Sequence, residues 1–218
     1  MGFWAIPRLW PGSTVFILGG GPSLLKVDLS LIHQHRVIGV NQAYTLGPWV
    51  DVCWFGDKGW YELQNGKINE YGGLIVTCAY ETSLDRRRQR VRYVGRSIPG
   101  GIESKSRKFV SWNGNSGASA INLAYWLGAK RVVLIGFDMK LPEDKHNKKA
   151  QTHWHNFYEP KWDKRNAILS NPYGRFMRHW PQIARDAKNL GLEILNASEG
   201  SALTIFPMVK VEDVCQDL

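Results

Sequence analysis

The residues with chemistry in them are few, and they fall into groups. The first is "FILGGGPSL", Phe16 to Leu24, where an apolar run stops at Gly19, Gly20 and Gly21 and gives way to Pro22 and Ser23. Absent Cβ atoms let a ligand touch backbone. After a strand, Gly21 can be a helix N-cap, Pro22 suits the first helical position because no donor is needed there, and Ser23 can turn its hydroxyl toward the orphan amides. Such a turn offers free N–H groups and the positive end of a helix, which suits phosphate. The competing explanation is a tight strand-to-helix turn that needs positive φ and nothing more. Neither nucleotide fingerprint fits: there is no GxxxxGK[ST], and GxGxxG fails at Leu24.

A second group is Asn41, Asp57 and Asp138, each immediately after an apolar run. Singly they read as turn formers or caps; together with the glycines they mark one edge of a sheet. A third is "THWH", where His153 and His155 offer imidazoles that titrate near neutrality, in a surface loop or as a metal site lacking its remaining ligands. A fourth is Arg86 to Lys108, with nine basic residues against one acidic. That stretch alone carries +8 of a formal net charge of +9. It reads either as a solvated surface loop or as a docking surface for a polyanion led by Arg86, Arg87, Arg88 and Arg90. Gly95, Gly100 and Gly101 would let it close over a bound strand, and Trp112 would stack on an exposed base.

The elements that must position these residues alternate in type. "TVFILGG", "RVIGVN", "VDVCWFGD", "GLIVTCAY", "KRVVLIGFD" and "LEILNAS" are almost continuously apolar, the pattern of strands covered on both faces in a parallel sheet. Ser116 to Ala129 and "YGRFMRHWPQIARDAKNLG", ended by Gly191, have helical spacing. Strand and helix in alternation predict a doubly wound, mostly parallel α/β sheet. In such a sheet ligands collect at the carboxyl ends of strands, where strand order reverses.

With 44% hydrophobic and 22% charged residues, the 218-residue chain can bury a full core, and residues 1–218 are expected to form one domain with a basic loop insertion. No apolar stretch reaches the roughly 20 residues needed to cross a bilayer, and the start lacks the pattern of a signal peptide or a myristoylation site. Cys53, Cys78 and Cys215 have no metal spacing and read as thiols in a reducing compartment. A cytoplasmic location is expected, and no metal site is assigned.

"GGGPSL", "VIGVNQAY", "GNSGASAINLAYWLGAKRVVLIGFDM", the pair in "THWH" and the tail "LGLEILNASEGSALTIFP" occur in the order of motifs in the bacterial sialyltransferase-like glycosyltransferases. The chain resembles equally the related motility accessory factor and 6-hydroxymethylpterin pyrophosphokinase-like proteins, a group with phage-encoded members; for such a member the location would be the host cytoplasm. The resemblance runs from Thr14 to Pro207 and is strongest in the Ser-Gly helix followed by "LGAKRVVLIGFD". It implies a Rossmann-like domain binding a nucleotide, a cytidine nucleotide in the transferase branch. By that likeness Gly19, Gly20, Gly21 and Ser23 line the phosphate loop, Asn41 contacts ribose or phosphate, and Ser116 and Gly117 lie against base or sugar. The general base of the family maps onto His155, with His153 in reserve. An acceptor hydroxyl must lose its proton as it attacks the anomeric carbon, a task suited to imidazole.

The pattern departs from the family in three places. Gly20 and Gly56-Asp57 stand where the sialyltransferases have asparagines, and Met139 and Lys140 stand where tyrosines that stabilise the leaving phosphate should follow "GFD". Lys140 or an arginine of the basic run would then neutralise the departing phosphate. The leading expectation is a transferase that uses a nucleotide-sugar donor, with no tightly bound cofactor, acting on nucleic acid or another polyanionic acceptor. The second is pyrophosphoryl transfer to a pterin-like alcohol, with Mg²⁺ held by carboxylates such as Asp57 and Asp138. The third is a non-catalytic nucleotide- or DNA-binding phage protein. Oligomeric state is left open.

Overall fold

The computed structural model describes residues 2–79, 90–97, 100–141, 152–155 and 172–217. Seven strands form one sheet in the order β5-β4-β3-β2-β1-β8-β9, every neighbouring pair parallel. They are β1 (Thr14–Leu18), β2 (Arg36–Val40), β3 (Val52–Phe55), β4 (Leu74–Thr77), β5 (Val91–Tyr93), β8 (Arg131–Ile135) and β9 (Glu193–Asn196). A separate parallel pair is β6 (Gly95–Ser97) with β7 (Phe109–Ser111). The chain runs outward from β1 to β5, then returns to add β8 on the other side of β1. The β1/β8 boundary is therefore the point where strand order reverses and where an open crevice forms.

The strands behave as their composition demands. All but the first residue of β1, β2, β4, β8 and β9, and every residue of β3, is buried, since apolar layers cover both faces. Helix α1 (Lys58–Leu63) follows β3, and on one face of the sheet α2 (Ser116–Leu127) and the helix Trp180–Leu190 lie over Val15, Ile17, Ile38, Trp54, Val132 and Leu134. On the other, Phe16, Leu18, Val133 and Ile135 meet short 3-10 turns and the helix Val211–Gln216. Alternate residues of one strand thus feed two cores. Trp54, fully buried, donates its indole N–H to the Ser116 carbonyl (2.9 Å) and to Ser119 Oγ (3.1 Å), fixing the start of α2 over β3.

Two predicted elements differ. The late helix is divided into Tyr173–Met177 and Trp180–Leu190, because Pro181 at the second helical position lacks the N–H that would bond back into a preceding turn; Gly191 in the left-handed region ends it as expected. The basic segment, expected as a loop insertion, contributes β5 and β6 in its described part, with Val91 and Val94 buried. Its glycines are packed rather than free: a methyl on Gly100 would meet the His179 ring, and Gly101 stands at φ +97° beside Asp186.

Candidate functional site

The glycine turn after β1 owes its composition to the turn after β8. A methyl on Gly19 would stand 2.5 Å from the Gly136 carbonyl oxygen. A methyl on Gly21 would overlap Asp138 Oδ2 and stand 2.7 Å from the same carbonyl oxygen. Neither residue has positive φ, so close approach of two chain segments, not backbone conformation, excludes side chains there. The two turns are also bonded, Gly19 N–H to the Ile135 carbonyl (2.7 Å) and Gly21 N–H to the Gly136 carbonyl (2.8 Å). Gly20 differs: its empty side faces His153, whose Cδ2 would be 3.0 Å from a methyl there.

Gly21 caps the following helix and Pro22 begins it, as the sequence suggests, but the helix is a single 3-10 turn, Pro22–Lys26. Its anion position is already filled. Asp138 accepts from Ser23 N (3.2 Å) and from Ser23 Oγ (2.7 Å), and Ser23 is buried outside the cavity described below. The hydroxyl expected to cap amides holds this carboxylate instead. The helix that brings its positive end to the site is α2, a 12-residue helix. Asn115 caps it by accepting from Ala118 N–H (2.7 Å) and ties it to the Phe176 carbonyl (3.3 Å). Ser116 and Gly117 form its first turn, with Ser116 Oγ 3.4 Å from Asp57 Oδ2.

A cavity of about 430 Å³ opens where these pieces meet. Gly19, Gly20, Gly21, Asn41, Asp57, Ser116, Gly117, Asp138, His153 and His155 all border it; Ser23, expected in the phosphate loop, and Lys140, expected at the leaving phosphate, do not. Asn41 (φ 52°) and Met139 (φ 51°) hold left-handed conformations at its rim, as does Gly136 (φ 76°). Such conformations in non-glycine residues cost energy and concentrate at functional sites.

His153 and His155 approach each other at 5.4 Å between ring centres. Burial, with the neighbouring imidazole adding to it, pushes His155 down to about 4, so its neutral form persists far below the usual imidazole range.

The sequence reading missed the wall formed by Pro172, Tyr173, Arg175 and Phe176. Burial, and then Asp138, raise the Tyr173 hydroxyl above the ordinary tyrosine value, so it stays protonated as a donor. No motif adjoins these residues, and the sequence showed Tyr173, Arg175 and Phe176 only as the start of a predicted longer helix.

The carboxylates proposed for Mg²⁺, Asp57 and Asp138, both border the cavity, where Asp138 accepts from Ser23 and Asp57 from Ser116. Among the described residues no group of three His, Cys, Asp or Glu side chains is placed to share an ion, so an ion there would need ligands from a substrate phosphate as well.

In the basic segment, Arg86, Arg87 and Arg88 lie outside the described residues. Arg90 bonds to the Asn69 carbonyl (3.4 Å) and the Gly72 carbonyl (3.2 Å) at the outer edge of the sheet, away from the cavity. Arg96 bonds to the Cys78 carbonyl (2.9 Å) and the Gly56 carbonyl and covers the Trp112 ring at 4.5 Å. Trp112 borders the cavity and packs where a Gly56 side chain would be, rather than projecting to meet a strand. Arg107 reaches the Ile6 carbonyl (2.7 Å) and the Trp126 carbonyl (2.6 Å).

No protein-family model matches the sequence, and no curated protein matches it. Among solved structures, the chain is similar to the MAf glycosyltransferase from Magnetospirillum magneticum AMB-1, with 14% identity and a TM-score of 0.62 over 97% of this chain and 36% of that one. It is similar also to the sialyltransferase CstII from Campylobacter jejuni, solved with cytidine-5'-monophosphate, with 14% identity and a TM-score of 0.52 over 91% of this chain and 85% of that one. The chain thus spans little more than a third of the first protein and most of the second. These likenesses establish a shared fold, and they fall in the two groups that the motifs resemble. Among the described residues no helix is long and apolar enough to cross a membrane.

Proposed function

We propose that this chain binds a nucleotide sugar in the cavity at the carboxyl edge of its sheet and transfers the sugar to a hydroxyl acceptor, a cytidine nucleotide being the first candidate donor. Convergence carries the reading: the glycine turn, the strand-end polar residues, the first turn of α2 and both histidines border one cavity at the switch point. The fold shared with two glycosyltransferases, one of them bound to cytidine-5'-monophosphate, supports it.

In this reading His155 is the general base, with His153 in reserve. The acceptor oxygen bonds to the anomeric carbon while its proton passes to imidazole, and the bond from that carbon to the donor phosphate breaks with its electrons leaving on phosphate. A conjugate acid near 4 is weak for this task at neutral pH, but a bound anionic donor favours imidazolium and raises the value toward the working range. Tyr173 and Arg175, both on the cavity wall, are placed for the charge that grows on the leaving phosphate. Lys140 extends toward Gly200 and does not border the cavity. The acceptor is proposed to be polyanionic, nucleic acid first, because Arg86 to Lys108 carries nine basic residues, of which main-chain carbonyls hold Arg90, Arg96 and Arg107, while Arg86, Arg87 and Arg88 stand together as three consecutive like charges.

The test is a thermal-shift screen of nucleotides and nucleotide sugars. A ligand at 100 times its Kd adds about 2.7 kcal/mol, or about 5 to 11 °C for a domain of this size. Cytidine-5'-monophosphate and its sugar conjugates should shift the melt; no shift from any nucleotide at millimolar concentration overturns the reading.

A further inference from the structure

Trp154 stands between the two histidines and is turned the other way. Its backbone N–H donates to the Gly20 carbonyl (3.0 Å), and its indole N–H donates to the Gly19 carbonyl (3.2 Å). Its ring packs against the core that contains Phe16, Leu18 and Leu24. Both neighbours border the cavity, and Trp154 does not. The His155 ring meets the indole edge-on at 4.8 Å, and His153 lies over the empty side of Gly20, tied to Thr152 Oγ1 through Nδ1 at 3.0 Å.

We propose that Trp154 is the positioning residue of this site: it latches residues 152–155 onto the glycine turn and thereby sets where both imidazoles stand relative to a bound donor. The geometry is independent of any reaction, while the consequence for rate rests on the glycosyltransferase reading. One aromatic anchor with two bonds to consecutive carbonyls fixes both the distance and the rotation of a short segment, and a reacting group displaced by about 1 Å loses about 100-fold in rate. This also gives Gly20 a reason distinct from its neighbours. Gly19 and Gly21 make room for the β8 turn, whereas Gly20 makes room for the histidine that the latch brings down.

The experiment compares Trp154→Phe and Trp154→Ala with the unaltered chain, using cytidine-5'-monophosphate as the binding probe. Trp154→Phe keeps the packing and removes one hydrogen bond, so kcat should fall about 3- to 10-fold. Trp154→Ala should lower kcat about 100-fold while affinity for cytidine-5'-monophosphate changes less than about 2-fold. NMR titration of the histidine rings supplies a readout that needs no turnover: release of the segment exposes His155, and its midpoint should climb toward the usual value of about 6.5. Unchanged kcat and unchanged histidine titrations in Trp154→Ala overturn the proposal, as does loss of nucleotide affinity in step with kcat, which would make Trp154 part of the binding wall. If the unaltered protein turns over no nucleotide sugar, the glycosyltransferase reading falls, and the histidine titration alone decides the latch. Should Trp154→Ala fail to fold, Trp154→Phe decides it by the same titration, with a smaller shift supporting the latch and none overturning it.

Discussion

Gly21→Ala distinguishes two reasons for a glycine at a strand end. A methyl there would overlap Asp138 Oδ2 and stand 2.6 Å from Cγ and 2.7 Å from the Gly136 carbonyl oxygen. The carboxylate can yield only by leaving Ser23 Oγ at 2.7 Å and Ser23 N at 3.2 Å, and the backbone carbonyl can yield only if the two turns part. Hydrogen bonds to a charged group are worth about 1.5 to 3 kcal/mol each, so loss of the two should cost about 3 to 6 kcal/mol. At about 2 to 4 °C per kcal/mol this is a fall in Tm of about 6 to 24 °C, read by circular dichroism with no ligand present. Asp138→Ala loses the same bonds but removes most of the overlap, so the double variant should cost clearly less than the sum of the two. A Gly21→Ala protein that melts within about 2 °C of the unaltered chain yet no longer binds cytidine-5'-monophosphate would falsify this account and return the glycine to the ligand.

The other expectations concern chemistry and charge. His155→Ala should reduce kcat about 100-fold with donor affinity nearly unchanged, and equal activity removes His155 from the mechanism. Because folding lowers His155 from 6.5 to about 4, its neutral form is favoured in the folded state. Unfolded or undocked chain therefore binds the extra proton first, and stability is lost as pH falls from about 6.5 toward 4. For the same reason kcat/KM should hold level from pH 8 to about 5 before declining; a decline centred near 6.5 refutes the buried-base assignment. Nucleic-acid binding should weaken steeply with salt, and Arg86→Ala, Arg87→Ala and Arg88→Ala together should flatten the slope by about 0.7 to 0.9 per lost phosphate contact. Arg107→Ala should instead lower Tm and leave that slope unchanged, since its guanidinium serves two carbonyls.

The strands were legible because a parallel sheet covered on both faces demands unbroken apolar runs, and β1, β2, β3, β4, β8 and β9 all lie within the segments that show them. The sheet edge was legible for the same reason, since Asn41, Asp57 and Asp138 follow runs whose direction is shared. What resisted reading was pairing across sequence. Ser23 and Asp138 are 115 residues apart, and nothing local distinguishes a serine that caps amides from one that holds a distant carboxylate. Nor does a count of arginines separate Arg96 and Arg107, spent on main-chain carbonyls, from arginines that face a partner. Strands β5 to β7 have only three residues each, too few to show a period among charges.

The tail motif shows how closely stability and site are joined. Ser198 Oγ accepts from Phe137 N–H (2.8 Å), Ser201 Oγ donates to the Phe137 carbonyl (2.5 Å), and Ala202 N–H donates to the Asp138 carbonyl (2.8 Å). "NASEGSA" therefore braces the β8 turn from behind, as Ser23 braces it from the front. Asp138 is held by its side chain on one side and by its carbonyl on the other, at the place where the glycine turn comes closest. Trp154 in turn hangs on the carbonyls of Gly19 and Gly20. A loss at Ser201, which does not border the cavity, should thus loosen Asp138, then the glycine turn, and through Trp154 the two imidazoles. The order of that chain of contacts follows the order of contact in space, while in sequence its links are scattered from Gly19 to Ala202.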